Sequence, residues 1–123
     1  MQFKEEKAIY LQIVDFVKEK ILKDEWSADQ KILSVRDLAS ELEVTPNTVM
    51  RAYELLQQQN LVYNKRGLGL FVDPAAKAKI TALQKEQFMN IELPRFFDQL
   101  EILDIAMDEV LAKYNNRTKA TDH

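Results

Sequence analysis

Two helix starts follow each other closely in the middle of this 123-residue chain. Ser34 can begin one helix, because its hydroxyl can accept a hydrogen bond from a first-turn amide. Thr45 can begin the next, and Pro46 suits the first helical position, where its missing N–H would be unpaired anyway. Only residues 43–44 separate the end of the first of these helices from the cap of the second. A connection this short forces the two helices to cross steeply and predicts a helix-turn-helix.

Apolar residues at spacings of three and four predict the packed faces of the helices. A helix is predicted over about 8–23, a short second helix after Ser34, and a third helix over 46–59. Asn60 can adopt the left-handed conformation that ends the third helix. The apolar face of the first helix comprises Ile9, Tyr10, Ile13, Val14, Phe16, Val17, Ile21 and Leu22, and that of the third comprises Val49, Ala52, Tyr53 and Leu56.

A β-hairpin is predicted over residues 61–72. The segments "LVYN" and "LFVD" are typical of two strands, and "KRGLG" between them is typical of a turn. This turn holds both glycines of the protein, Gly67 and Gly69, together with Lys65 and Arg66. A basic hairpin after a helix-turn-helix is the arrangement of a winged helix, whose wing contacts the DNA backbone or minor groove.

The start of the third predicted helix carries a polar face. On a 3.6-residue period Asn47, Thr48 and Arg51 project away from the apolar face of the same helix. An amide can read adenine, a guanidinium can read guanine or hold phosphate, and a hydroxyl can do either. The unpaired first-turn amides also favour phosphate. This face therefore predicts a recognition helix for the major groove.

A second interpretation of the same side chains is structural. The amide and the hydroxyl would then only cap the helix, and Arg51 would only pair with Glu41 or Glu54. The whole chain is acidic, with a net charge of −3, which argues against nucleic acid when charge is considered globally. Residues 44–72, however, carry three cations and one acid, and so have a local balance of +2. The basic hairpin beside the polar helix face favours DNA binding.

The segment "KILSVRDLASELEVTPNTVMRAYELLQQQNLVYNKRGLGLFV" resembles the winged-helix domain of GntR-type transcription regulators. Its portions "NTVMRAY" and "RGLGLFV" resemble the YtrA subfamily, and the resemblance covers residues 10–72. Glu43 and Asn60 stand where glycine is common in the family. The resemblance implies that residues of the second helix, the third helix and the wing face DNA, namely Ser34, Arg36, Thr45, Pro46, Asn47, Thr48, Arg51, Lys65, Arg66, Gly67 and Gly69.

The chain after the hairpin begins with a further predicted helix. We expect Pro94 to end this helix, because its ring disfavours helical geometry at Leu93. The expected inward positions are Ile80, Leu83, and then Phe88 or Met89.

A last helix is predicted from Pro94, over "PRFFDQLEILDIAMDEVLAKYNN". Its apolar residues step alternately by four and three, which gives a heptad seam. Two helices cannot bury so broad a face on each other, which predicts pairing with a second copy of the chain. The alternative is that the tail folds back onto its own winged domain. The YtrA-like resemblance implies a short helical dimerisation region. The predicted dimer interface is Phe96, Leu100, Leu103, Met107, Val110 and Tyr114.

Composition argues against other function classes. The chain has no Cys, its one His is the last residue, and "RGLGLF" lacks the Lys and the following helix of a phosphate loop. We therefore expect no enzyme, no cofactor and no metal site. The first residues carry charges every few positions and no long apolar run, so no signal peptide or membrane span is expected, and a cytoplasmic location is favoured.

The predicted fold class is mainly α with a small β-hairpin. A winged helix-turn-helix over residues 1–74 precedes a two-helix dimerisation region over 75–123. The predicted function is a homodimeric, sequence-specific transcription regulator, specifically a repressor that binds an inverted repeat in double-stranded DNA. The recognition helix is 46–59 and the wing is 61–72. A winged helix that docks another protein, without sequence-specific DNA binding, is the alternative. The sequence does not identify the operator, the target genes or an effector.

Overall fold

The computed structural model describes the backbone of residues 7–121 and the side chains of residues 7–117. Three helices and a hairpin come first: α1 (Ile9–Leu22), α2 (Val35–Leu42), α3 (Pro46–Gln58), β1 (Val62–Lys65) and β2 (Gly69–Val72). Four helical segments follow: α4 (Ala76–Gln87), a π-helical turn (Phe88–Glu92), α5 (Leu93–Ile102) and α6 (Met107–Thr121). The predicted mainly α fold with one antiparallel hairpin is confirmed.

One apolar core joins α1, α2, α3 and the hairpin. Its largest fully buried side chains are Ile13, Val17, Leu38, Val49, Leu56 and Val72. Burying each such side chain stabilises the fold by roughly 1.5–3 kcal/mol. The four residues that the sequence assigns to the inner face of α3 are all buried. The opposite side of α3 is therefore left for other contacts.

Both predicted helix caps are present. The Ser34 hydroxyl accepts a hydrogen bond from the Asp37 N–H over 3.0 Å, and α2 begins at the next residue. The Thr45 hydroxyl accepts from the Thr48 N–H over 3.4 Å, with Pro46 in the first position of α3. These caps satisfy amides that a helix leaves unpaired at its start.

Four helices in the described part of the chain end in the same way. In each, a residue with positive φ follows the helix, and the next N–H bonds to a carbonyl five residues back. The positive-φ residues are Asp24 after α1, Glu43 after α2, Asn60 after α3 and Asp104 after α5. The hydrogen bonds are Glu25 to Lys20, Val44 to Ala39, Leu61 to Leu56 and Ile105 to Leu100, at 2.9, 3.0, 3.0 and 2.9 Å. The predicted left-handed Asn60 is confirmed, with φ 59°.

The hairpin gains a partner that the sequence did not predict. Strand β2 pairs with β1 in the register Val62 to Val72. On its other edge β2 pairs with residues 29–32, since the Ile32 N–H donates to the Leu70 carbonyl over 3.0 Å. Lys31 lies opposite Phe71 in this short bridge. The segment before α2 is therefore held against the wing.

The chain divides into two compact units, Met1–Ala82 and Leu83–His123. Ala76 and Ile80 of α4 are buried in the core described above. The first unit therefore extends beyond the boundary predicted after residue 74. The expected inward position of Ile80 is confirmed, but Leu83, Phe88 and Met89 are about half exposed, at 53%, 54% and 50%.

Pro94 does not end a helix, and this prediction is wrong. Leu93 has helical dihedrals, φ −64° and ψ −45°, and α5 continues directly from the π-helical turn. A proline inside an α-helix lacks an N–H and clashes with the carbonyl four residues back. The π-helical turn bonds over five residues instead of four, and so gives the ring a wider turn to occupy. The chain stays helical where the sequence rule predicts an end.

The continuous last helix predicted from Pro94 is also wrong. Helix α5 ends at Ile102, Asp104 has φ 55°, and α6 begins at Met107. The tail still contains two helical stretches, but their joint lies at residues 103–106. The predicted seam is thereby divided: Phe96 and Leu100 lie on α5, Leu103 lies in the joint, and Met107, Val110 and Tyr114 lie on α6.

The left-handed backbone conformation of Glu43 predicts how a substitution there changes stability. A residue with a Cβ pays about 1–2 kcal/mol for this conformation, and glycine does not. We expect Glu43→Gly to raise the free energy of unfolding by about 1 kcal/mol in urea denaturation. Glu41→Gly, inside α2, is the matched control and should lower it by about 0.5 kcal/mol. Equal effects of the two substitutions would contradict this account of the α2 terminus.

Candidate nucleic-acid interface

The capped start of α3 presents two exposed side chains suited to base edges. Asn47 is exposed, and no described residue hydrogen-bonds to its amide. Thr48 is only half-exposed, and its hydroxyl lies 2.8 Å from the hydroxyl of Thr45. The capping interpretation thus fits Thr48 and does not fit Asn47. Arg51 follows Asn47 one turn later and is also exposed.

Arg51 rests on an aromatic ring. Its Cζ lies 3.9 Å from the ring centroid of Tyr10, which belongs to α1. Among the side chains that the structure describes, neither Glu41 nor Glu54 forms an ion pair with Arg51. Sequence analysis assigned Tyr10 to the apolar face of the first helix and gave no signal for this contact, because it joins two residues about 40 positions apart in the chain.

The start of α2 is fixed by a buried tyrosine of α3. The Tyr53 hydroxyl donates a hydrogen bond to the Leu33 carbonyl over 2.8 Å. Burial, with a smaller contribution from the Glu41 carboxylate, raises the pKa of Tyr53 above its ordinary value. Leu33 directly precedes Ser34, so this bond positions the cap of α2. Arg36, two residues further, is exposed.

The wing turn depends on its two glycines. The Leu68 N–H donates to the Lys65 carbonyl over 2.8 Å, and Gly67 has φ +76°, as the third residue of a type II turn requires. Gly69 has φ +112°, and a Cβ there would lie 3.1 Å from Cε of Lys31. Arg66 is exposed within this turn. Side chains at either glycine would strain the wing.

Aromatic contacts stiffen the base of the wing. Tyr63 and Phe71 stack across the hairpin with ring centroids 5.8 Å apart. The Nζ of Lys65 lies 4.9 Å from the Phe71 ring centroid. The Tyr63 hydroxyl donates to Asp29 over 2.8 Å, and this hydrogen bond raises the pKa of Tyr63. Lys65 is therefore presented from an ordered surface.

An open groove brings the wing and the start of α2 together. Ser34, Gly69 and the unpredicted Lys31 all line it, together with Ile32, Leu33, Val35, Tyr53, Leu68 and Leu70. Arg36, Arg66 and the exposed residues of α3 do not line this groove. Sequence analysis did not select Lys31, because the segment that pairs with β2 is too short to show the alternating apolar pattern of a strand.

Other kinds of site have little support in the structure. Over the described residues, no three His, Cys, Asp or Glu side chains cluster so that they could hold a metal ion. No helix found there has the length and apolar character needed to cross a membrane.

Comparison with protein families identifies the chain. The family of bacterial regulatory proteins named gntR matches residues 9–72, which is the winged helix described above. The chain belongs to the GntR family. It is therefore a DNA-binding transcription regulator and not an enzyme, as the sequence predicted.

Similar proteins extend the match to the tail of this GntR-family regulator. It is 34% identical over 110 residues to the HTH-type transcriptional regulator YhcF of Bacillus subtilis (strain 168), covering 89% of each chain. It is 31% identical over 98 residues to the HTH-type transcriptional repressor YtrA of the same organism, covering 76% of this chain and 75% of YtrA. A crystal structure of a GntR-family regulator from Bacteroides thetaiotaomicron is 43% identical with a TM-score of 0.77, covering 94% of this chain and all of that one. The YtrA-like resemblance is confirmed.

The Tyr53 hydrogen bond predicts a contribution to stability that depends on pH. Tyr53→Phe leaves the Leu33 carbonyl without its donor and should lower the free energy of unfolding by about 1–2 kcal/mol at neutral pH. Since the folded state raises the pKa of Tyr53, its contribution is complete below pH 10.0 and declines at higher pH, where the unfolded chain ionises. The difference in the free energy of unfolding between the parent and Tyr53→Phe should therefore become smaller above that pH.

Urea denaturation from pH 7 to 11 measures this effect. Tyr63→Phe is the matched control, because its hydrogen bond is exposed and should change stability by less than about 0.5 kcal/mol. If the free energies of unfolding of the parent and of Tyr53→Phe differ by the same amount across the pH range, the raised pKa assigned to Tyr53 is wrong.

Proposed function

We propose that this GntR-family regulator is a homodimeric repressor that recognises an inverted-repeat operator. In this proposal α3 reads base edges in the major groove, the wing holds the DNA backbone, and the tail joins two chains. The observation that carries it is the exposed polar face of α3, where Arg51 is held on Tyr10 without a carboxylate partner among the described residues. A cytoplasmic location follows from the DNA ligand.

The start of α3 supports base reading. Asn47 and Arg51 are exposed one turn apart, so both can enter one groove. An Asn amide can pair with adenine and an Arg guanidinium with guanine, each through two hydrogen bonds. Thr45 and Thr48 then suit phosphate contacts beside the first-turn amides. Recognition by α3 would place most sequence discrimination in these two exposed side chains.

The wing supports contact with the backbone. Lys65 and Arg66 stand where β1 meets a turn fixed by Gly67. Both side chains are exposed, and a lysine ammonium acts on phosphate as a point charge with little base preference. Ser34 and Arg36, at the start of α2, complete the proposed contact surface.

The tail supports dimerisation. Six of the apolar residues on α5, α6 and the joint between them are at least two-fifths exposed, including Ile102 at 80% and Leu103 at 65%. Such an extent of exposed apolar surface is unusual in a monomer. GntR-family regulators typically act as dimers, which supports assembly through this tail. The relative YtrA is named a repressor, and on this we base the proposed sign of regulation.

Binding isotherms can separate base reading from backbone contact. An operator is first selected from random DNA with the parent protein, and a scrambled duplex serves as the reference. Arg51→Ala or Asn47→Ala should weaken operator binding by about 1–3 kcal/mol and binding to the scrambled duplex much less. Lys65→Ala should weaken both equally and reduce the salt slope by about one.

Lys23→Ala is the matched control for Lys65→Ala, since Lys23 pairs with Glu19 at the end of α1, outside the proposed surface. It should leave both affinities unchanged. Parent-like operator binding by all three test variants would reject α3 and the wing as the DNA surface, and would favour the protein-docking alternative.

Sedimentation tests the proposed dimer and its interface. Leu103→Asp with Met107→Asp introduces two charges into the proposed interface, where burying them without partners should cost about 3 kcal/mol or more. We expect the parent to sediment as a dimer at micromolar concentration and this variant as a folded monomer. The selected operator should be an inverted repeat with half-sites spaced by about one helical turn, or a multiple of it.

The matched control is Gln99→Asp with Asn115→Asp, which adds the same two charges at exposed polar positions of α5 and α6. This control should remain dimeric. A monomeric parent would exclude the dimer and support the alternative in which the tail packs on its own winged domain.

A further inference from the structure

The contact between Arg51 and Tyr10 joins the proposed reading helix to the helix behind it. Tyr10 is half-buried near the start of α1 and packs against the core. Arg51 is exposed on α3, and its Cζ lies 3.9 Å from the Tyr10 ring centroid. The ring thus provides a surface packed on the core under a long, flexible side chain.

The contact with Tyr10 leaves the N–H donors of Arg51 available, because no described residue hydrogen-bonds to them. A guanidinium is planar, and its N–H donors all point outward in that plane. Stacking on a ring uses the face of the group, whereas a bidentate contact with guanine uses its edge. One Arg side chain can therefore rest on Tyr10 and bind a base at the same time.

Holding the side chain in place before DNA arrives should improve discrimination. A free Arg loses rotamer freedom on binding, and that loss opposes every base contact it makes. A guanidinium already fixed by stacking loses less.

We propose that Tyr10 is a positioning residue for DNA sequence discrimination, acting through the guanidinium of Arg51. This inference rests on the proposed role of Arg51 as a base reader. Tyr10 itself touches no base in this account, and its aromatic face is the feature that matters. Phenylalanine should therefore replace it, and an aliphatic residue should not.

The chain offers a matched control on the same helix. Phe16 of α1 is also half-buried and also lies under a cation, with Nζ of Lys20 5.3 Å from its ring centroid. That cation belongs to α1 and not to α3. Phe16→Leu therefore removes an aromatic ring and a cation–π contact from the same helix without touching Arg51.

The experiment measures the ratio of affinities for the selected operator and the scrambled duplex. An exposed cation–π contact corresponds to about a 2- to 5-fold effect, so Tyr10→Leu should lower this ratio by about that factor. Its affinity for the scrambled duplex and its salt slope should match the parent. Tyr10→Phe and Phe16→Leu should both keep the parental ratio.

The variant Arg51→Ala separates two claims, that Arg51 reads a base and that Tyr10 positions Arg51. It should lower the ratio by about 5- to 150-fold, and Tyr10→Leu should then add nothing. If Arg51→Ala lowers the ratio and Tyr10→Leu does not, the role of Tyr10 is wrong while base reading by Arg51 stands. If Arg51→Ala keeps the parental ratio, base reading by Arg51 and the role of Tyr10 are both wrong, and Asn47→Ala then decides whether α3 reads bases at all. A further loss from Tyr10→Leu in the Arg51→Ala background would also overturn the positioning role.

NMR of the parent protein supplies a measurement that needs no variant to fold. The δ protons of Arg51 should be shifted upfield by the ring current of Tyr10. If the stack persists while Arg51 reads a base, this shift should remain in the complex with the selected operator. Loss of the shift on binding would mean that Arg51 leaves the ring to reach DNA, which would overturn the proposal.

Discussion

The packing of α3 against α1 is the constraint on which the rest of the winged helix depends. Val49, Ala52 and Leu56 are wholly buried, so α3 cannot rotate about its axis without exposing part of the core. That fixed rotation determines which side chains face outward. Asn47 and Arg51 are exposed because Val49, Ala52 and Leu56 occupy the buried side of the same helix. The orientation of the proposed reading surface is therefore set by apolar burial on the opposite side of the same helix.

The features that sequence analysis predicted correctly depend on local chemistry. The caps at Ser34 and Thr45 involve atoms only three residues apart, and the wing turn needs only the dihedral freedom of Gly67. Apolar periodicity is equally local, because it depends on one helix having one buried face. Such signals are complete within a short window of sequence. For this reason the three helices and the hairpin could be assigned before the structure. The DNA-binding and dimer-interface residues chosen from the same patterns stay predictions.

The features that sequence analysis missed arise where one local backbone preference overrides another, or where residues far apart in the chain come into contact. Pro94 normally ends a helix, but a π-helical turn accommodates it, and no residue pattern announces that turn. The break at Asp104 interrupts an unbroken apolar repeat, because periodicity says nothing about backbone dihedrals. Lys31 and Tyr10 enter the site through contacts with β2 and α3, which only the assembled fold brings near. Their residue types alone gave no reason to select them.

The pairing of residues 29–32 with β2 also bears on how molecules of this protein avoid unwanted association. A two-stranded hairpin has two edges with unpaired N–H and C=O groups, and such edges invite strand addition by a second molecule. Here one edge is occupied by the chain itself, and the occupying segment carries the charge of Lys31. The β2 edge of the wing is thus closed to strand addition by a second molecule. Aggregation through this edge is disfavoured, although the turn beside it stays exposed and basic.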